Sequence, residues 1–396
     1  MARALKRRLG LGLLTAYGIG VMVGAGIYVL VGAVAGQAGL WAPLSFLLAA
    51  VVAVPSALTF SELSARIPEA AGDSAYIEFG LGLHWLAMLV GGVNITAGTV
   101  AAAAVLRGGA GYFTALVPVA PELAIVVAGV LLTLIALVGV LESLAFAAAM
   151  TVIEVAGLLL VSWAGLTAEP VAAWSAPLPP IAWNGVIAAS VFAFFAFIGF
   201  DDLVNMAEEA KNPTRDMPRS ILIALAITAV LYMLVAFAAV RAVPQDVLGA
   251  SQRPLALVWE TATGTGAGFL SGIAVAAALN GILAQIVMAS RVLYGLGRRS
   301  PWLEVFNRTH PRFGTPVIAT VLCGGAATAA ALVLPVTTLA EITSALLLAV
   351  FAVVNLSLIR LKARVPRSPF RVPVFVPVLG LVACLAALAA TVEAWT

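Results

Sequence analysis

The sequence Gly18-Ile19-Gly20-Val21-Met22-Val23-Gly24-Ala25-Gly26-Ile27-Tyr28 is the most informative stretch of the chain, because it places four glycines within nine residues of an apolar run. The run covers about residues 10–36, which is long enough to cross a bilayer, since a spanning helix needs roughly 20 residues. Glycine has no Cβ, so a helix can unwind there and leave its backbone amides unshielded. The stretch therefore predicts a membrane helix that is broken in its middle.

A break at Gly24 would create the N-terminus of a half-helix inside the membrane. The free N–H groups of Ala25, Gly26 and Ile27 would then point into a cavity, where they and the helix dipole suit a carboxylate. Carbonyl groups just before the break could accept hydrogen bonds from an ammonium group. Close helix packing through the Gly20-xxx-Gly24 spacing explains the same glycines and stays open as an alternative.

A second interruption, Phe197-Ile198-Gly199-Phe200-Asp201-Asp202, lies in another apolar run at about residues 184–207. This run is the sixth along the chain, so the first and sixth runs cross the membrane in opposite directions. Breaks at matching positions of two inverted halves are typical of the binding site of a transporter. Irregular backbone at membrane depth is tolerated only where it lines a cavity or is buried in protein.

The composition requires lipid as the surrounding solvent. Of 396 residues, 63% are hydrophobic and 10% are charged, whereas soluble domains average about 45–50% and about 25%. We therefore predict an all-α integral membrane protein of about eleven transmembrane helices. They are expected at about residues 10–36, 41–62, 76–105, 121–141, 145–166, 184–207, 219–241, 266–297, 315–334, 338–360 and 374–393.

The basic residues predict the orientation of these spans. With the N-terminus in the cytoplasm, the outside segments hold three basic residues, Arg107, Arg241 and Arg253, and the other 18 of the 21 Lys and Arg lie inside. Such a bias follows the positive-inside rule and supports the span count. We expect a multi-pass protein of the cell membrane with a cytoplasmic N-terminus, a retained first span and a C-terminus outside.

Several motifs in order along the chain resemble the amino acid–polyamine–organocation (APC) superfamily, and most closely its cationic amino acid transporter-like bacterial branch. The span 1 run fits that family's Gly-Ile-Gly and Gly-x-Gly-Ile-Phe signature, with Tyr28 in place of the usual Phe. The resemblance extends from about Gly10 to Ala363. Its other motifs are Ser61-Glu62-Leu63, Pro68-Glu69-Ala70, Gly72-Asp73, Gly199-Phe200-Asp201, Glu208-Glu209 with Asn212-Pro213 and Pro218, Ser290-Arg291-Val292-Leu293-Tyr294, Leu339-Ala340-Glu341 and Val354-Asn355-Leu356.

The resemblance implies a single transmembrane transporter domain over residues 1–396 with a LeuT-like fold. Two inverted five-helix repeats would cover about residues 10–167 and 184–361, with an extra helix at about 374–393. Helices 1 and 6 would be unwound. The implied function is secondary active import of an amino acid by alternating access between the two sides of the membrane.

The resemblance also implies where the substrate binds. The substrate carboxylate would lie on the amides of Gly24, Ala25 and Gly26. The ammonium group would lie on carbonyls around Val23 and at the break in span 6. The expected substrate-binding residues are Val23, Gly24, Ala25, Gly26, Ile27, Phe195, Ile198, Asp201, Asp202 and Asn94.

Acidic residues inside spans are candidates for function, because each costs about 2.5–3.5 kcal/mol to insert. Asp201 matches a position that is usually acidic in the family, whereas Asp202 stands where the family has a small or apolar residue. One of the two could cap the restarting half-helix of span 6. Alternatively, Asp202 could bind an amine of the substrate. Asn94 is a weaker candidate, because asparagine in membrane helices often joins neighbouring helices.

Glu154 is the most informative departure from the family. Proton-coupled members carry a lysine there, facing the unwound part of span 1. A buried carboxyl, with no Lys or Arg in its own span, could bind and release the driving proton. Three alternatives remain: Na⁺ held with the carbonyls of Gly20 and Val21 and with Asn280, a pair with a cationic substrate, or a structural hydrogen bond to loose backbone.

The chain lacks the motifs that other classes of protein require. The chain has two scattered histidines, no HExxH motif and no nucleotide-binding loop, so the sequence predicts no enzyme, metal or cofactor. A net charge of +3 gives no reason to expect nucleic acid. The expected partners are a small amino acid or amine, a coupling H⁺ (or Na⁺) and the bilayer. A Na⁺-coupled symporter or exchanger of a small amine or polyamine remains the alternative, and a non-transporting sensor is the least favoured.

Overall fold

The computed structural model describes residues 7, 9–67, 72–139, 144–174, 177, 179–310 and 312–395. Within these residues the structure is helical, with no β-strand and one isolated bridge between Leu9 and Ala210. The predicted all-α class is confirmed. The helices are α1 (Leu11–Ala38), α2 (Ala42–Arg66), α3 (Gly72–Leu81), α4 (His84–Thr114), α5 (Pro121–Val138), α6 (Leu144–Thr167), α7 (Trp183–Phe197), α8 (Pro213–Ala242), α9 (Gln245–Ala250), α10 (Pro254–Thr263), α11 (Gly268–Arg299), α12 (Val317–Val333), α13 (Val336–Arg364) and α14 (Phe375–Trp395).

Many of these helices can cross a membrane. Eight helical segments of the described chain have the length and the apolar composition for it, and three shorter apolar helices accompany them. The shorter ones are Leu11–Gly24, Val317–Val333 and Phe375–Thr391. These findings agree with a multi-pass membrane protein, and the count of eleven spans stays a prediction.

The third span begins later than predicted. Residues 76–81 belong to the separate helix α3, and the next long helix, α4, begins at His84. Between them Gly82 has a φ of +70°, a left-handed conformation that glycine adopts easily. The predicted span was too long at its start because α3 ends in apolar residues. Hydropathy alone does not reveal that the chain changes direction between α3 and α4.

The loop between α8 and α11 holds two short helices that the apolar runs did not predict. A proline lies at the start of each: Pro244 is the N-cap that precedes α9, and Pro254 is the first residue of α10. The loop packs closely on α1. A Cβ added at Gly36 would lie 3.0 Å from the Cα of Gly249, and one at Gly32 would lie 2.6 Å from the carbonyl oxygen of Leu248.

The three basic residues that the sequence places outside all have structural partners. Arg107 Nη1 donates a hydrogen bond to the carbonyl of Ala331, near the end of α12, at 2.6 Å. Arg241 Nη1 donates to the carbonyl of Ala168, just after α6, at 2.6 Å. Arg253 pairs with Glu260 at 2.7 Å. Cations at helix C-termini satisfy free carbonyls and the helix dipole, so Arg107 and Arg241 have a structural role at the ends of α12 and α6.

A buried ionic cluster joins α2, α13 and the segment before α14. The Glu62 carboxylate receives hydrogen bonds from Arg66 Nη2 at 2.6 Å and from Lys362 Nζ at 2.5 Å. It also accepts from the backbone N–H of Val372 at 2.8 Å. Buried ion pairs are tolerated when further hydrogen bonds satisfy the charged atoms, and here they hold the chain after α13 against α2.

Candidate functional site

The first helix interruption lies at Gly24. Inside α1, Gly24 has non-helical backbone angles, with φ 6° and ψ −156°. A Cβ added there would meet no atom within 4 Å, so the position has room for a side chain. The interruption falls within the predicted glycine run.

The second interruption follows α7. This helix ends at Phe197, and Ile198 takes extended angles with φ −61° and ψ 137°. Gly199 then has a φ of +126°, a conformation that residues with a Cβ avoid. A 3₁₀ helix at Asp202–Glu209 continues the chain. The single predicted run at 184–207 is thus two helical pieces joined by an irregular link.

The two interruptions lie against each other. A Cβ on Gly199 would lie 2.7 Å from Val21 Cγ1 and 3.3 Å from the backbone nitrogen of Met22. A Cβ on Gly26 would lie 3.2 Å from the Cα of Ala196. Glycine at both positions lets the backbones of α1 and of the α7 region approach closely.

Tyr232, on α8, bridges the interruptions. Its hydroxyl lies 2.6 Å from the carbonyl oxygen of Met22 and 2.9 Å from that of Ala196. One hydroxyl has one proton, so it donates to one of these carbonyls at a time. The side chain is fully buried. Sequence reasoning did not select Tyr232, and its only signal was a hydroxyl within an apolar span.

Glu154 lies on α6 and is 2% exposed. The Tyr28 hydroxyl donates to the main-chain carbonyl of Glu154 at 2.8 Å, and the Tyr112 hydroxyl donates to the carbonyl of Tyr28 at 2.6 Å. The Glu154 carboxylate also interacts electrostatically with the hydroxyls of Tyr28 and Tyr232. Tyr28, which replaces the expected Phe, thus gives α1 a direct contact with α6 at Glu154.

A second contact between α1 and α6 lies before the break. A Cβ on Gly20 would overlap the hydroxyl of Thr151, which is one helical turn before Glu154. Gly20 therefore permits close packing of α1 on α6, whereas Gly24, the second residue of the alternative Gly20-xxx-Gly24 packing interpretation, would have no atom within 4 Å of an added Cβ. The predicted Na⁺ ligand Asn280 is half-buried on α11, a helix that packs on both α1 and α6.

Asp201 does not cap the 3₁₀ helix after the second break. Its side chain makes no capping hydrogen bond and accepts instead from the backbone N–H of Gly199 at 3.0 Å. The carboxylate therefore stabilises the irregular link itself. Asp202, the other candidate cap, is half-buried and opens the 3₁₀ helix.

Asp73 joins this acidic region from α3. Asn94 Nδ2 donates to Asp73 Oδ2 at 2.8 Å. Asn94 was predicted to bind substrate, and this contact with a protein carboxylate was not predicted. Burial and the neighbouring Asp201 carboxylate raise the pKa of Asp73 from 3.8 to about 7, and the Asn94 hydrogen bond opposes the rise. The fully buried Tyr76 also interacts electrostatically with Asp73, and its hydroxyl has no hydrogen-bond partner among the described residues.

Other predicted residues take the following places. Val23 and Ile27 are buried beside Gly24, and Phe195 is 8% exposed near the end of α7. The Phe195 carbonyl already accepts from the backbone N–H of Ile198 at 3.2 Å. Outside the described residues lie the side chain of Ala25, the motif Pro68-Glu69-Ala70 and the basic residues Arg3, Lys6 and Arg8.

Comparison with known proteins identifies the class. The model of the amino acid permease family matches residues 9–394. The methylthioribose transporter of Bacillus subtilis (strain 168) is 31% identical over 363 residues, which cover 86% of this chain and 77% of that protein. The branched-chain amino acid permease BcaP of the same organism is 28% identical over 416 residues, which cover 97% of this chain and 88% of that protein. The chloroplastic cationic amino acid transporter 9 of Arabidopsis thaliana is 33% identical over 335 residues, which cover 78% of this chain and 58% of that protein.

The helical fold and these matches define a multi-pass membrane permease rather than an enzyme. The chain belongs to the amino acid permease family of the APC superfamily, which confirms the resemblance found in its motifs.

The two glycines of the first break give a matched pair of substitutions. Gly26→Val should abolish uptake and lower thermal stability, because its Cβ would press on the Ala196 backbone. Gly24→Ala has room for its Cβ, but alanine favours helical angles over glycine by about 1 kcal/mol. We expect it to fold well and lose substrate affinity. Uptake and thermal unfolding of both variants test this, and normal uptake by Gly24→Ala would show that the break is dispensable.

Tyr232→Phe should destabilise the protein by about 1–3 kcal/mol, since it leaves a buried carbonyl at one or both breaks without a donor. Tyr76→Phe is the control, because Tyr76 is equally buried and its hydroxyl has no described partner. The thermal midpoint of Tyr232→Phe should fall below that of wild type, and that of Tyr76→Phe should not. Equal thermal midpoints for the two variants would contradict the bridging role of the Tyr232 hydroxyl.

The raised pKa of Asp73 predicts a pH dependence of stability. The unfolded chain releases this proton near pH 4 and the folded protein near pH 7, so the free energy of unfolding falls as the pH rises between about 4 and about 7. Asp73→Asn removes this contribution, and its thermal midpoint should decline less over that range. Asp246→Asn, an exposed aspartate on α9, should follow wild type. Identical profiles for wild type and Asp73→Asn would contradict the shift.

Proposed function

We propose that this chain imports amino acids by proton symport with alternating access. In this proposal eleven spans cross the membrane, and α1–α6 and α7–α13 contain the two inverted repeats. The N-terminus lies in the cytoplasm and the C-terminus outside. The observation that carries the proposal is the contact between the two interruptions, at Gly199 against Val21 and at Gly26 against Ala196.

The substrate would bind where these interruptions meet. Its carboxylate would take the amides that follow Gly24, where the second part of α1 begins and the helix dipole favours negative charge. Its ammonium group would take carbonyl oxygens near Val23 and Ile198. The Tyr232 hydroxyl supports this arrangement because it can donate to the carbonyl of Met22 or of Ala196, which leaves the other oxygen free to accept from the substrate.

Glu154 would carry the driving proton. It is buried on a helix that touches α1 on both sides of the break, through Thr151 at Gly20 and through the carbonyl that Tyr28 binds. A change in the charge of its carboxyl would alter the electrostatic interaction with Tyr28 and Tyr232. Through those two tyrosines, protonation could bias how α1 and the α7 region pack around the substrate.

Exchange or Na⁺-coupled transport of a small amine is the second candidate function. It is favoured by the acidic residues Asp201 and Asp202 at the second interruption, which suit a cationic group. The names of the relatives also include transporters of different compounds, methylthioribose and cationic amino acids among them. Na⁺ coupling would use Glu154 with the carbonyls of Gly20 and Val21 and with Asn280.

Transport in proteoliposomes tests the coupling. Wild type should accumulate labelled amino acid under an inward pH gradient. Glu154→Gln should keep exchange of labelled substrate but lose this accumulation, because its side chain cannot release a proton in the physiological range. Glu122→Gln, an exposed glutamate on the first turn of α5, is the matched control and should behave as wild type.

Two results would overturn the role of Glu154. Uptake that ignores a pH gradient and responds to Na⁺ would replace proton symport with Na⁺ coupling. If Glu154→Gln still accumulates substrate under a pH gradient, another carboxyl carries the proton, and Asp201 and Asp202 are the next candidates.

A further inference from the structure

A short main-chain pairing joins the segment before α1 to the segment after the second interruption. The N–H of Leu9 donates to the carbonyl of Glu209 at 3.0 Å, and the N–H of Lys211 donates to the carbonyl of Leu9 at 2.8 Å. Leu9 and Ala210 thus form a parallel β-bridge, and both residues are buried. We call these two hydrogen bonds the latch. Because they use main-chain atoms, which every residue except proline supplies in full, substitution by proline is the change that breaks them.

The latch lies on the same side of both breaks. It precedes the first part of α1, which ends at the break at Gly24, and it follows the 3₁₀ helix Asp202–Glu209, which begins after the second break. A second contact joins these two segments closer to the breaks, since a Cβ added at Gly18 would lie 3.0 Å from Leu203 Cδ2. The first part of α1 is therefore held against the 3₁₀ helix by hydrogen bonds at one end and by close packing at the other.

The opposite side of the breaks is closed in a different way. There the second part of α1 packs on the loop that holds α9 and α10, with Gly36 against Gly249 and Gly32 against the carbonyl of Leu248. Among the described residues, no main-chain hydrogen bond joins α1 to that loop. Separation on this side would break close packing, whereas separation at the latch would also break two main-chain hydrogen bonds.

This asymmetry has a size that can be measured. The loss of one hydrogen bond of this type changes an equilibrium by roughly 5-fold, which corresponds to about 1 kcal/mol. The latch has two such bonds, and the residues at its centre, Leu9 and Ala210, are buried. Of the two sides, the latch side is therefore the harder one to open.

We propose that the latch fastens the N-terminal side of the substrate site and holds the substrate-free protein in a conformation that opens on the opposite side. This inference rests on the alternating access of the proposed function. In the proposed orientation, the resting protein is closed toward the cytoplasm and receives substrate from outside. Release into the cytoplasm then requires Leu9 to leave Glu209 and Lys211, so that the first part of α1 separates from the 3₁₀ helix. The residues that precede α1 thereby take part in the transport cycle.

Single-cysteine proteins measure the opening of each side separately. In purified full-length protein with Cys323→Ala and Cys384→Ala, the added Leu203→Cys reports on the latch side and Leu248→Cys reports on the opposite side. Both leucine side chains are fully buried, so a maleimide reaches each position when its side opens. The measured quantity is the labelling rate at position 203 divided by the rate at position 248.

Two proline variants break the latch independently. Leu9→Pro removes the N–H that binds the carbonyl of Glu209, and Lys211→Pro removes the N–H that binds the carbonyl of Leu9. Each should raise the labelling ratio roughly 5-fold, as expected for the loss of one hydrogen bond. Labelling should rise at position 203 and fall at position 248, because the population moves from one open conformation to the other. If Leu9→Pro fails to fold, Lys211→Pro still tests the latch.

Two control variants separate the hydrogen bonds from other effects. Arg7→Pro places the same residue in the same segment, but Arg7 is exposed and its N–H has no main-chain partner among the described residues. It should leave the labelling ratio unchanged. Leu9→Ala keeps both hydrogen bonds and removes a buried side chain, so it should lower the thermal midpoint without changing the ratio.

Three results would overturn the latch: an unchanged ratio in both Leu9→Pro and Lys211→Pro, an equal increase in labelling at both positions, or the same shift in Arg7→Pro as in Leu9→Pro. Uptake of labelled amino acid by wild type, measured in parallel, tests the proposed function separately. Uptake with an unchanged ratio in the proline variants would remove the latch and leave amino acid import standing. A shifted ratio in a wild type that takes up no amino acid would keep the latch and remove amino acid import.

Discussion

The fold depends on one constraint: a helix that stops inside a membrane must have its free backbone groups satisfied by protein, because lipid offers no hydrogen bonds. Here the constraint arises twice, at Gly24 and after Phe197. The Tyr232 hydroxyl serves carbonyls beside both breaks, and the Asp201 carboxylate takes the N–H of Gly199. A third helix, α8, therefore supplies the hydroxyl that lies between the two breaks, and the second break satisfies part of its own backbone. The direct contact between the breaks is close packing at Gly199 and Gly26.

The same constraint distinguishes junctions that contain buried charges from junctions that contain close packing and neutral hydrogen bonds. Buried charges with several hydrogen bonds hold α2 to α13 through Glu62 and Lys362. The junction of α1 with α6 depends on the Tyr28 hydroxyl and on close backbone packing at Gly20. A two-state motion needs elements with alternative packings, and a junction of close packing and neutral hydrogen bonds has no charged groups to separate, unlike a buried ionic cluster. In the proposed alternating-access cycle, this difference favours movement at the junction of α1 with α6.

The helical class, the membrane setting and the family could be predicted from composition, apolar runs and motifs, because these depend on local properties of the chain. The position of each interruption was also local, since glycine marks where a helix can depart from its angles. The tertiary contacts of individual side chains could not be predicted in this way, because they do not follow from local sequence. The separation of α3 at Gly82, the bond between Asn94 and Asp73 and the use of Asp201 on Gly199 all depend on how distant segments meet. Tyr232 is an ordinary residue in sequence and gains its role only when α1 and α7 lie beside it.

The ionic cluster at Glu62 has a consequence for how the ribosome and the insertion machinery build this protein. Glu62 enters the membrane region with α2, whereas Lys362 follows 300 residues later. During that interval the early carboxylate has a counter-ion four residues away, Arg66, which can pair with it within the nascent helix. The late synthesis of α13 then recruits the second cation and the Val372 amide. A chain that ends before α13 would therefore leave Glu62 with Arg66 as its partner from this cluster, without the second cation and the backbone amide that complete it.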